Sequence, residues 1–226
     1  MARGGPAPGR GAAGARRGAA DPPTADSLCG MTRRGSYAKG VAKREEILRV
    51  ALEVVDRNGM RGTSVRELAD AVDLTQAGLL HHFGSKEELF LSILTVRDEE
   101  AAARMDGLDV IDQFLTVIAD NARTPGMVQL FTSMAAAATS DASHPAHAWF
   151  AERYVRFRTS LTDTMRRRQA SGEMPDDVDV EKLAGVMMAV SDGMQLQWML
   201  DPTTDMAAHV RLVWELALRS AVSAPS

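Results

Sequence analysis

The chain has 226 residues, 45% of them apolar and 25% charged. That is longer than the usual domain of roughly 100–200 residues and apolar enough to fold around a core. A formal charge of −4 excludes a uniformly basic protein, and a single cysteine, Cys29, excludes an internal disulfide framework or a zinc site built on several thiolates.

No apolar run approaches the ~20 residues that span a bilayer. No apolar stretch of roughly 7–15 residues follows the N-terminal arginines, as a secretory signal would require. The expected compartment is the reducing cytoplasm, with no membrane partner. The charge is unevenly placed: residues 1–40 carry seven Arg and Lys against two Asp, and residues 41–226 carry 19 against 28. The opening MARGGPAPGRGAAGARRGAADPP has almost nothing to bury and cannot offset its ordering entropy. Residues 1–40 are therefore expected to be a disordered basic tail, with Met31 as a second candidate start.

From Val41 the apolar spacing is helical, with no sustained two-residue alternation between hairpin signals, which predicts an all-α fold. A first helix is expected from about Ala42 to Asn58, burying Ile47, Leu48, Ala51, Val54 and Val55 and ended by Gly59. Ser64-Val-Arg-Glu67 is a capping box that opens a second helix, and a third spans about Thr75 to Phe83. Ser85-Lys-Glu-Glu88 is another capping box, heading a helix to about Arg104. Further helices are expected at about Val110–Ala122, at Pro125–Ala138 with proline in its first turn, and at Pro145–Ser171, stopped by Gly172. The last two are Val180–Leu200, capped by Asp179, and Met206–Val222. This pattern divides the chain into three short helices over residues 41–86 and a six-helix bundle over 87–223, with 224–226 as a short tail.

Residues 65–84 read VRELADAVDLTQAGLLHHFG. Two short helices joined by a tight turn, with Leu68, Val72, Leu74 and Leu79 apolar and small Ala69 at the crossing, predict a helix-turn-helix. Asp73 stands where this turn often has glycine, and aspartate tolerates left-handed backbone better than most residues. Leu79 and Phe83, four apart, turn inward. That leaves Thr75, Gln76, Ala77, Gly78, Leu80 and His81 as the face such a motif lays in the major groove of double-stranded DNA. The Gln76 amide can pair at two points with adenine, Leu80 can touch a thymine methyl, and small Ala77 and Gly78 let the backbone approach. Thr63, Ser64, His82 and Lys86 flank that face, with Ser64 and Lys86 at helix starts suited to phosphate. Arg33, Arg34 and Lys43 add basic contacts ahead of it.

This stretch resembles the TetR/AcrR family of bacterial transcriptional regulators. The resemblance runs from about Lys43 to Leu94 through KREEIL, GMRGTSVRELA and LTQAGLLHHFGSKEELF, the last block being the most specific. The family commonly has tyrosine at the Leu80 position, so that tyrosine's phosphate hydrogen bond is missing here. DGMQLQWMLDP, Asp192–Pro202, resembles one branch of the family. The resemblance implies a homodimer whose C-terminal half binds a small effector and releases the operator, that is, a repressor; the methionine-rich composition of that half makes the expected effector largely apolar. Neither catalysis nor a cofactor is expected.

Nine of the thirteen methionines lie between Met127 and Met206, and methionine suits adaptable apolar surfaces. An effector cavity is expected among Phe114, Met127, Phe131, Met134, Trp149, Met187 and Met194, although core filling explains the same pattern. A homodimer is expected through the last two helices. Gly185, Ala189 and Gly193, four apart, allow close approach, while Val186, Val190, Leu212, Val213 and Leu216 supply apolar area. His144 and His147, three apart beside Asp141, have metal-binding spacing but no further carboxylate or thiolate. His81 and His82 are adjacent and point about 100° apart on a helix, so no metal site is expected. Two other functions stay open: a helical enzyme or metal-dependent hydrolase, and an adaptor of the same fold without DNA binding. Against the first, no nucleophile–base pattern, phosphate loop or two-His-one-carboxylate spacing is present.

Overall fold

The computed structural model describes residues 40, 42–55, 57, 63–105 and 107–219. Arg33, Arg34, Met31, Gly59, the expected N-terminal tail up to residue 39 and the expected C-terminal tail lie outside the described residues. The chain divides into Met1–Val41 and Ala42–Ser226. Of the first unit only Gly40 is described, and every element below belongs to the second. Among the described residues there are nine helices and no strand. They are α1 (residues 42–55), α2 (Val65–Ala71), α3 (Gln76–Phe83), α4 (Lys86–Arg104), α5 (Val110–Asn121), α6 (Pro125–Ser140), α7 (His147–Ala170), α8 (Val180–Leu200) and α9 (Met206–Arg219).

The helix starts follow from short polar side chains that satisfy otherwise orphaned backbone N–H groups. Ser64 and Glu67 form the full reciprocal box: Ser64 Oγ accepts the Glu67 N–H at 3.2 Å, and the Glu67 carboxylate accepts the Ser64 N–H at 2.7 Å. The second box is half formed. Ser85 Oγ accepts the Glu88 N–H at 3.0 Å, but the Glu88 carboxylate lies beside Gly84. Asp109 and Asp179 cap α5 and α8. Gly172, at φ 77°, follows the end of α7 in left-handed backbone.

Two boundaries differ from expectation: α6 runs past Ala138 to Ser140, and α7 starts late. α7 begins at His147, and Pro145 lies in the preceding turn. The Asp141 carboxylate accepts both the N–H and the hydroxyl of Ser143, and His144 Nδ1 accepts the Ala146 N–H at 3.2 Å. These local bonds hold residues 141–146 out of the helix. They also engage His144, while His147 Nδ1 lies 2.8 Å from the Ala138 carbonyl oxygen. Among the described residues no group of three or more His, Cys, Asp or Glu is placed to hold a metal, and no helix is long and apolar enough to cross a membrane.

Two apolar cores result. The first joins α1, α2 and α3 to α4, α6 and the head of α7 through Ile47, Leu68, Leu79, Ile93, Leu130 and Phe150. The second joins α5, α7, α8 and α9 through Ile111, Leu161, Met187, Val210 and Trp214. α4 and α6 thus carry the helix-turn-helix into the body of the molecule.

Candidate functional site: nucleic-acid face and cavity

α2 and α3 cross through buried Leu68, Ala69 and Leu79. The turn between them closes by a Leu74 N–H bond to the Ala69 carbonyl at 2.9 Å and passes through Asp73 at φ 55°, the left-handed backbone the turn needs. Thr75 caps α3, its Oγ1 accepting the Gly78 N–H at 3.0 Å. A Cβ at Gly78 would stand 3.2 Å from that oxygen, so glycine leaves room for the cap as well as for a groove. With Leu79 and Phe83 buried, Thr75, Gln76, Ala77 and His81 are exposed, and Gly78, Leu80 and His82 are half-buried. The capping hydroxyls of Ser64 and Thr75 use their oxygens as acceptors and keep their hydrogens, which can be donated to a phosphate.

Arg44 fixes this unit to α4. Its guanidinium lies 4.8 Å above the Phe83 ring and donates to Ser92 Oγ at 2.8 Å, and Ser92 in turn donates to the Glu88 carbonyl. Lys86 is exposed, 5.4 Å from the Phe90 ring. Lys43 pairs with Glu46 at 3.1 Å. Thr63 is only 5% exposed.

A cavity of about 80 Å³, partly open to solvent, lies between the two cores. α4 lines it with Leu94, Arg97, Asp98 and Ala101, the spacing of one helix face. α5 contributes Phe114 and Ile118, α6 Met127 and Phe131, α7 Arg153, Tyr154 and Phe157, and α8 Met188, Ser191, Asp192 and Gln195. Two links cross it. Arg153 donates to both Asp98 carboxylate oxygens at 2.8 and 3.2 Å, its guanidinium lying 4.9 Å from the Phe131 ring and 4.5 Å from that of Phe157. Tyr154 donates its hydroxyl to Asp192 Oδ2 at 2.7 Å. Burial raises the Asp192 carboxyl above its ordinary value, against the opposing Tyr154 hydrogen bond and Arg153 charge. Burial also pushes the Tyr154 phenol up, and the hydrogen bond to Asp192 and its charge add to the effect.

The model for bacterial regulatory proteins of the tetR family matches residues 47–93, and that for the C-terminal part of BetI-type transcriptional repressors matches residues 99–222. The chain belongs to the TetR family. It is 28% identical over 199 residues to the HTH-type transcriptional repressor AcnR of Corynebacterium diphtheriae, covering 79% of this chain and 92% of that one. Salmonella enterica GusR shares the fold with a TM-score of 0.57 at 24% identity, covering 79% and 96% of the two chains. FadR from Bacillus subtilis, solved in complex with stearoyl-CoA, shares it with a TM-score of 0.58 at 18% identity, covering 77% and 97%.

TetR regulators bind DNA operators and small-molecule effectors, typically as dimers. Such proteins are transcriptional regulators and not enzymes, which removes the enzyme alternative. In this TetR chain the expected cavity residues separate. Phe114, Met127 and Phe131 line the cavity. Met134 is buried in the first core with Trp149 packed against it, and Met187 and Met194 are buried in the second; these four lie outside the lining because they face helix-packing seams.

The expected dimer residues fall on one side of α8 and α9. Val186, Ala189, Leu212 and Leu216 are exposed, and the Cβ positions of Gly185 and Gly193 meet open space. Val190 and Val213 are half-buried against the second core. Asp98, Arg153, Tyr154, Ser191, Asp192 and Gln195 also line the cavity and were not among the residues expected there. A signal was present in α8, where three polar residues recur at helical spacing from Met188 in an otherwise apolar stretch.

Proposed function

We propose that this TetR regulator is a cytoplasmic homodimeric repressor that grips a double-stranded operator through two copies of α3 and releases it when a small, largely apolar effector enters the cavity. The observation that carries the reading is α4. Its first half is clamped to the DNA-reading unit through Arg44 and Ser92, and its second half is the cavity wall, tied to α7 by Asp98 and Arg153. An effector bearing on that wall biases the angle between the two halves of the subunit, and hence the spacing of the paired α3 helices.

Gln76 and His81 read bases, with Thr75, Ala77, Gly78 and Leu80 along the groove. Lys43, Ser64, His82 and Lys86 face phosphates, joined by Arg33 and Arg34 from outside the described residues, while buried Thr63 contributes packing. Residues 41–86 serve DNA, and residues 87–223 serve the effector and the dimer. The dimer forms through the exposed apolar stripes of α8 and α9, since obligate interfaces are apolar and bury more than about 2,000 Å² in total.

An electrophoretic shift of the full chain on the DNA upstream of its own gene tests this reading. A salt-sensitive, sequence-selective shift is expected. No shift on any DNA at low salt would leave the adaptor reading in its place.

A further inference from the structure

The inner wall of the cavity carries polar groups that the fold leaves without partners. Ser191 and Gln195 are 6% and 5% exposed and line the cavity, and neither side chain makes a hydrogen bond among the described residues. Asp192 accepts one such bond, from Tyr154 to Oδ2, and none at Oδ1. Arg153, the cation that bears on Asp192, is itself engaged by both oxygens of Asp98 and by the faces of Phe131 and Phe157. Buried polar groups without partners are costly and uncommon in native proteins. A wall required only for packing would carry Leu, Met or Ala at these positions.

We propose that Ser191, Asp192 and Gln195, at i, i+1 and i+4 on α8, form the polar subsite of the cavity, and that its ligand is an apolar molecule bearing a hydrogen-bond donor, a hydroxyl or a protonated amine. The proposal rests on the reading of this cavity as the effector site. Asp192 Oδ1 takes the donor, and the Gln195 amide and Ser191 hydroxyl complete its hydrogen bonds, each able to donate and accept. The apolar part lies against Phe114, Met127 and Met188. At this subsite an acid is disfavoured, because its carboxylate would meet that of Asp192 in a poorly solvated wall, whereas the cavity's other cations, Arg97 and Arg104, belong to α4 and not to α8.

Four probes of similar size test this on the full chain by titration calorimetry: benzylamine, benzyl alcohol, benzoate and toluene. The amine, the alcohol or both should bind saturably, with benzoate and toluene about tenfold weaker or more. Asp192→Asn keeps an acceptor for Tyr154 and separates the two donors. It should weaken benzylamine by about tenfold and benzyl alcohol by clearly less. Gln195→Met, apolar and of similar size, should weaken the bound donor while raising the melting temperature of the unliganded chain, since it removes an unpaired buried amide.

Benzoate or toluene binding as tightly as the donors, or no probe binding at all, overturns the assignment. A fall in melting temperature for Gln195→Met also overturns it, because the amide would then be a structural partner. Operator shifts run in parallel separate the two readings. A probe that binds with the stated preference but leaves DNA binding unchanged supports the subsite and removes the effector role. A compound that releases operator equally from wild type, Asp192→Asn and Gln195→Met removes the subsite and leaves the regulator intact.

Discussion

Gly84 ends α3 at φ 87° and ψ −56°, backbone that a residue with a side chain adopts only under strain, and the Glu88 carboxylate occupies the space a Cβ would need. The carboxylate can swing away but the backbone strain stays. Gly84→Ala should therefore destabilise the protein by about 1–3 kcal/mol in urea unfolding. Gln76 is the first residue of α3 and is exposed, whereas Lys86 opens the next helix. Gln76→Ala should cost about 1–3 kcal/mol at its preferred base and relax the choice there. Lys86→Ala should weaken all sequences alike and lower the log–log salt slope by about one unit. Binding across an operator library at two salt concentrations distinguishes these, and unchanged base preferences in Gln76→Ala would place base reading elsewhere on α3.

At the scale of elements, α7 holds the cavity together by gripping α4 with Arg153 and α8 with Tyr154. The side chains of Arg153 and Asp98 are 15% and 23% exposed. Asp98→Ala leaves the guanidinium among aromatic rings without its bidentate partner, at a cost of about 1.5–3 kcal/mol in thermal or urea unfolding. The Tyr154 link has a pH signature. Its phenol titrates above tyrosine's ordinary 10.0, so an unfolded chain ionises first as pH rises. The stabilisation is full below that value and is lost above it. Melting temperatures between about pH 8 and 11 should fall more steeply for wild type than for Tyr154→Phe, which lacks the group. Equal slopes would mean that the phenol is not held as the structure has it.

Across the whole molecule, α8 presents two distinct faces. Met188, Ser191, Asp192 and Gln195 meet the cavity. Val186, Ala189, Gly193, Leu196 and Leu200 lie roughly opposite at 100° per residue and are exposed or open. Leu212 and Leu216 of α9, at 52% and 55% exposure, add further exposed apolar side chains of the kind dimers cover. Leu212→Glu with Leu216→Glu places unpaired carboxylates in that surface. Sedimentation velocity should show a monomer, and operator affinity should collapse although α3 is untouched. A variant that stays dimeric would move the interface off α9.

The helices and the DNA-reading motif were legible because they depend on neighbours in the chain. A 3.6-residue apolar period, a Ser64–Glu67 cap and a left-handed Asp73 are decided within a few residues. Their inward faces, Leu79 and Phe83 among them, follow from the same spacing. The start of α7 was not legible, since the bonds that delay it depend on which way the Asp141 and His144 side chains turn. Nor did the methionine-rich composition show which residues meet open space: Met127 lines the cavity, while Met134, seven residues on in the same helix, is packed in a seam. The polar cavity depends on Asp98 meeting Arg153 across 55 residues and Tyr154 meeting Asp192 across 38. A helix's own sequence determines that it has an apolar and a polar face. Which other helix that face meets, and whether the seam closes or leaves a cavity, is set by how side chains distant in sequence pack together.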